Sequence, residues 1–75
     1  MTTQLRRDAR LLRKVKNIQT AEAWVHPVWK SPMPYRVLLV HDMGEVEYVG
    51  AAHQKRDALR RCAALNALIE HRKAK

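Results

Sequence analysis

Three prolines fall within eight positions, at Pro27, Pro32 and Pro34. Each fixes its own φ, removes a backbone donor and pushes the residue before it out of the helical region. No regular helix crosses this stretch, so residues 24–34 read as a linker, with Trp24 and Trp29 flanking His26 and Pro27. The chain is thereby cut into two parts that fold by separate local rules and then have to meet. At 75 residues they make one small domain with a thin core.

Before the prolines, the spacing predicts a helix within residues 1–23. At about 100° per residue, Leu5, Ala9, Leu11, Leu12, Val15 and Ile18 share one half of the circumference. Arg6, Arg7, Arg10, Arg13 and Lys14 share the other, and Asp8 lies inside the apolar half. Thr2 or Thr3 is the natural cap. The segment Thr20–Trp24 either continues this helix or begins a strand. After the prolines, residues 35–52 read as a β-hairpin. Tyr35, Val37 and Leu39 alternate with Arg36, Leu38 and Val40. Gly44 is available for positive φ in the turn. A lone hairpin is marginal in water, and residues 53–73 provide its cover. Ala58, Cys62, Leu65 and Ile69 form a helical stripe, with Asp57 in the first turn and His71, Arg72 and Lys73 in the last. The expected fold is α+β: an N-terminal amphipathic basic helix, a Pro-rich linker, and a β-hairpin packed against a C-terminal helix.

Charge narrows the function. Fifteen Lys and Arg face seven Asp and Glu, a net +8. Residues 1–16 carry +5, residues 17–52 carry −2 and residues 53–75 carry +5. Two basic ends around a mildly acidic middle favour a polyanionic partner or a nucleic-acid machine. No run approaches the roughly 18 apolar residues of a membrane span, and no apolar stretch follows Arg6 and Arg7 as in a secretion signal. The expected setting is the cytoplasm. Catalytic patterns are absent. Gly44 and Gly50 are the only glycines, so there is no phosphate loop. His26, His41, His53 and His71 make no i, i+4 metal pair. Cys62 lies on the apolar stripe, where a thiol is structural. The expectation is a non-enzymatic protein with no cofactor, no metal and no small-molecule substrate.

The candidate contacts follow from the same pattern. Arg6, Arg7, Arg10, Arg13 and Lys14 lack the interspersed acids that would make i, i+4 ion pairs, so the arc suits phosphates or an acidic partner surface. A second cluster, His53, Lys55, Arg56, Arg60 and Arg61, sits at the start of the last helix, where backbone N–H groups already favour anions. Both clusters have a competing reading as solvated faces. Trp24 and Trp29 have two readings as well. The absence of Phe favours packing of the first helix on the hairpin. Left exposed, they become contacts for a protein partner. Tyr35 and Tyr48 read as cross-strand neighbours, and Glu45 and Glu47 as a solvated strand face.

The stretch from Gly50 to Leu68 resembles the last part of a double-stranded RNA-binding domain. In that family a strand ends in Gly, a short loop follows, and a Lys-Lys-x-Ala-Lys helix closes the fold. Lys55, Arg56 and Ala58 match, while Leu59 stands at the third lysine. The family's first strand is not evident in this sequence, and neither is the histidine-bearing loop that follows it. The resemblance implies direct binding of a nucleic-acid duplex through both basic clusters. In size, charge and element order the chain also resembles small phage-encoded regulators of host transcription. That likeness implies a different partner, bacterial RNA polymerase, held at the β′ N-terminus and β flap near the RNA exit channel. It further implies inhibition of initiation by σ displacement, and antitermination, with nascent RNA near the arginine arc. An inhibitor of another nucleic-acid machine fits the same features. The layout separates the first two readings: one continuous basic surface favours a duplex, whereas basic faces turned apart with an apolar patch between them favour a protein partner.

Overall fold

The computed structural model describes the backbone of residues 3–74 and the side chains of residues 6–74. Thr2, the Thr3 side chain and the Leu5 side chain therefore lie outside the described residues. The chain runs α1 (Thr3–Leu12), a 3-10 turn (Ile18–Thr20), β1 (Glu22–Pro27), β2 (Tyr35–His41), β3 (Glu45–Ala52) and α2 (Lys55–Lys73). The architecture is α+β, with a three-stranded antiparallel sheet in the order β1-β2-β3 packed against α2.

The basic helix is shorter than the sequence pattern suggests. The N–H groups of Arg13, Lys14 and Val15 bond to the carbonyls of Arg10, Leu11 and Leu12. These i→i−3 bonds tighten the last turn and end the helix. Arg72 Nη1 donates to Leu12 O at 2.8 Å, so α2 satisfies an orphan carbonyl of α1.

The proline segment is half strand. Residues 24–27 belong to β1, whose Trp24, Val25, His26 and Pro27 pair with Leu38, Val37, Arg36 and Tyr35. Pro27 is tolerated because β1 is an edge strand and Pro27 is its last residue. The expected hairpin is therefore the second half of a three-stranded sheet. Only residues 28–34 remain as a loop, closed by Val28 N–H donating to Pro34 O at 2.7 Å.

The β2–β3 turn uses Gly44 at φ +106°, with Asp42 and Met43 also at positive φ. Between the pairs Val37↔Gly50 and Leu38↔Tyr48, Val49 is the extra residue of a β-bulge, which turns it onto the core. Tyr48 faces Leu38 and Tyr35 faces Ala52, so the two tyrosines are not neighbours.

The core lies on one face of the sheet. Ala23, Val37 and Leu39 meet Ala58, Cys62, Leu65 and Ile69 of α2, and Leu12 and Val15 close the side beside α1. The α2 stripe is the expected one. Alanines 63, 64 and 67 on its outer side keep helix propensity high without asking for burial. Among the described residues no helix is long and apolar enough to cross a membrane.

Candidate nucleic-acid interface

The position of α1 is set by a buried acid. Asp8, in the apolar half of the helix, is 1% exposed. Arg61 of α2 reaches it with two contacts, Nη2 to Oδ1 at 2.7 Å and Nη1 to Oδ2 at 2.8 Å. One turn further, Leu12 O meets Arg72. Asp8 lies near the first half of α2 and Leu12 near its end, so the two helices run in the same general direction. Their N-terminal halves come to the same end of the molecule.

This brings Arg7, at the start of the basic arc, toward the first turns of α2. Arg7, Asp8 and Leu11 of α1 line a cavity of about 450 Å³ whose other walls include Val49, Asp57 and Arg61. On the outer flank of α1, Arg6, Arg10 and Arg13 surround a shallower groove floored by Ala9. Lys14 is exposed at the C-terminal end of the arc, and Lys55, Arg56 and Arg60 are exposed on the first turns of α2. The 28–34 loop joins the same end, because His53 Nδ1 lies 2.9 Å from Pro32 O just ahead of α2. Lys30, at φ +61°, and Trp29 are exposed on this loop. Arg61 differs from the expectation. It is tied to Asp8, so it anchors α1 rather than extending the basic surface.

Trp24 and Trp29 do not pack into the core. Trp29 is 87% exposed and Trp24 55%. Ala23 and Val25 take the core-facing positions of β1, which turns Trp24 outward, and Trp29 lies in the loop after the strand. Cys62 is buried, and burial pushes its thiol above the usual range against the opposing pull of Arg61. A thiol held in that form suits a core residue.

Two features escaped the sequence pattern. Asn66 clamps β1 from α2, accepting from Ala23 N–H at 2.8 Å and donating to Ala23 O at 3.2 Å. The other is a polar cluster at the β2–β3 turn. His41 is 2% exposed. Its Nδ1 is 2.8 Å from Asp42 Oδ2 and 3.8 Å from Glu45 Oε2, and its Nε2 is 3.9 Å from Glu47 Oε1. Glu45 and Glu47 thus turn toward His41, and half-buried Glu47 is no solvated-face residue. His41, Asp42 and Glu45 bring ligating atoms within 4.8 Å of one another, the residue types that hold a divalent ion. The Asp42 oxygens, however, already accept from Lys16 N–H at 2.9 Å and Asn17 N–H at 2.7 Å. Lys16 N–H first, then His41 and Asn17, hold this carboxyl below its ordinary pKa. The group works as a clasp between the β2–β3 turn and the chain leaving α1. The bonds of Asp42 with Lys16, Asn17 and Thr20 that build it join residues more than twenty positions apart, and a linear pattern carries no trace of them.

No family model, curated protein or solved structure matches this chain.

Proposed function

We propose that the chain is a non-enzymatic module that binds a nucleic-acid duplex directly, with double-stranded RNA as the preferred form. One observation carries the reading: Arg7 of the α1 arc shares a cavity with Asp57, Ala58 and Arg61 from the first turns of α2. With Lys55, Arg56 and Arg60 exposed on the first turns of the same helix, we read the two clusters as one side, the layout that favours a duplex over a protein groove. Arg6, Arg7, Arg10, Arg13 and Lys14 would follow one strand's phosphates, and Lys55, Arg56 and Arg60 those across the groove. Lys30 and Trp29 on the adjoining loop would reach the groove itself. The order α-β-β-β-α supports the same reading. It supplies the first strand that the likeness to a double-stranded RNA-binding domain requires, and such domains read duplex shape through the RNA minor groove.

The test is fluorescence anisotropy with a labelled RNA duplex, the matching DNA duplex and the single strands, over a salt series. The expected result is tightest binding to duplex RNA, with affinity falling steeply as salt rises. Absence of duplex binding at low salt, or equal binding to every strand form, would overturn the proposal.

A second reading is docking on bacterial RNA polymerase with σ displacement and antitermination. Exposed Trp29 and Trp24 support it, since aromatic side chains anchor protein interfaces. Recovery of polymerase subunits by the tagged protein from nuclease-treated lysate would put this reading first.

A further inference from the structure

The sheet has a second face, turned away from both helices. Trp24, Leu38 and Tyr48 stand side by side across its three strands. Val40 and Val46 continue the apolar surface toward one end. Trp24 is 55% exposed, Tyr48 61% and Val46 54%, and no described element covers them. A contiguous apolar patch of this kind on a small charged protein marks a binding surface.

The charges on this face are sorted by sign. Glu22 is at the end beside Val40. His26 and Arg36, paired with each other, are at the opposite end, and the Arg36 guanidinium lies over the Tyr48 ring at 5.8 Å from its centroid. The row Trp24–Leu38–Tyr48 runs between the two ends. A two-fold axis along that row lays the face on its own copy. Trp24 then meets Trp24, and Glu22 lies over His26 of the second copy, with Arg36 diagonal to it on the neighbouring strand. A surface complementary to itself about one axis is what an isologous dimer requires.

We infer that a second copy of this chain covers the outer face of the sheet. The layout also places the repulsion well. The helices that carry the basic clusters lie beyond the two stacked sheets, on opposite outer sides, where salt screens charges separated by more than about 10 Å. The contact is modest. Strands of this length at about 4.8 Å spacing give a face at the low end of stable interfaces, so the dimer is weak and depends on concentration. Its consequence is that the two duplex-binding sides point in opposite directions and one dimer joins two duplexes. That consequence rests on the proposed function; the dimer does not.

The experiment is sedimentation equilibrium of the full chain, without nucleic acid, from micromolar to millimolar concentration. The expected result is a reversible rise in mass from monomer to dimer. Glu22→Arg and Arg36→Glu should each weaken the dimer about tenfold, because each places like charges opposite one another. The two together should restore it, with the pairs reversed. Trp24→Thr, a strand-forming polar substitution, should leave a monomer with an unchanged circular dichroism spectrum. A chain that stays monomeric throughout overturns the inference and leaves the face open to an unlike protein. A dimer indifferent to Glu22→Arg and Trp24→Thr overturns it too, since the contact would lie elsewhere. Single reversals that weaken the dimer with no recovery in the double reversal exclude the two-fold arrangement.

Discussion

Arg61 holds Asp8 through two parallel contacts, 2.7 and 2.8 Å long, with the carboxylate 1% exposed and the guanidinium side chain 20% exposed. An acid buried on the apolar side of α1 is tolerable only because a cation from α2 meets it there. The pair therefore fixes which face of α1 looks outward, and so where the arginine arc points. Removing one member strands the other in a half-buried site. We predict that Asp8→Ala destabilises the fold by about 2–4 kcal/mol, near the range for broken buried pairs and reduced for the exposure of Arg61. Replacing both residues with Leu should recover part of that loss. Urea denaturation of the three variants checks it, and an Asp8→Ala protein as stable as the parent would show that the pair does not hold α1 in place.

The arc itself should be dispensable for folding. Arg6, Arg10 and Arg13 are exposed and surround a groove on the outer flank of α1. Replacing all three with Glu should abolish duplex binding while leaving the circular dichroism spectrum and unfolding midpoint near those of the parent. Single Arg→Ala changes should weaken binding and flatten the salt dependence. On a DNA duplex the log–log slope should fall by about 0.9 for each phosphate no longer neutralised. An unfolded triple variant would show the arc to be structural.

Leu65 is fully buried between α2 and the sheet. Leu65→Ala leaves a cavity that a small core has little means to collapse. The expected cost is about 2–5 kcal/mol, a large share of what a domain this size has available. Thermal unfolding measures it. A shift of only a degree or two would count against the α2 stripe as the core.

Asp42 gives the fold an acid limit. Its carboxyl is held below its ordinary value of 3.8, chiefly by Lys16 N–H and with help from His41 and Asn17. A carboxyl whose pKa is lower folded than unfolded contributes its full stability above the unfolded value. That contribution is lost as pH falls from about 3.8 through the depressed folded value. Stability should thus be level on this account from neutrality to the low fours, then decline. Asp42→Ala should lower stability at pH 7 and flatten the decline below pH 4. Denaturation midpoints of parent and variant at a series of pH values decide it, and parallel curves would show that the clasp carries no linkage.

The helices and the second hairpin were legible because each has a strong local period. The α2 stripe Ala58–Cys62–Leu65–Ile69 and the alternation from Tyr35 to Val40 can be read without knowing what they touch. Strand β1 was legible only as one of two readings of Thr20–Trp24: Glu22 and Ala23 disfavour a strand, and the prolines that follow argue against any regular element. It is a strand because β2 offers an open edge and Asn66 holds its outer side. The site was legible as charge and not as place. Arg6, Arg7, Arg10, Lys55 and Arg56 stand out by composition. That α1 lies against α2, with Arg7 on a cavity the two share, follows from Asp8 and Arg61, which are 53 positions apart. The tryptophans misled through composition: in a chain without Phe they are the largest apolar groups, yet strand alternation turns Trp24 outward beside buried Ala23 and Trp29 falls in the loop.

Asn66 is the side chain on which β1 most directly depends. Its amide accepts from Ala23 N–H and donates to Ala23 O, as a neighbouring strand would. Ala23 is buried, so without Asn66 both groups lose their partner in a place water reaches poorly. Asn66→Ala should cost about 1–3 kcal/mol. Asn66→Asp keeps the acceptor and sets a negative charge against the carbonyl, so it should not rescue. The local signature is sharper than the global one. Hydrogen exchange at the Ala23 amide should quicken by more than that of the β2 amides, because only β1 loses its outer support. If Ala23 and the β2 amides quicken together, Asn66 supports the whole domain and the strand-like clamp is excluded. If Ala23 does not change at all, the amide hydrogen bond is absent in solution.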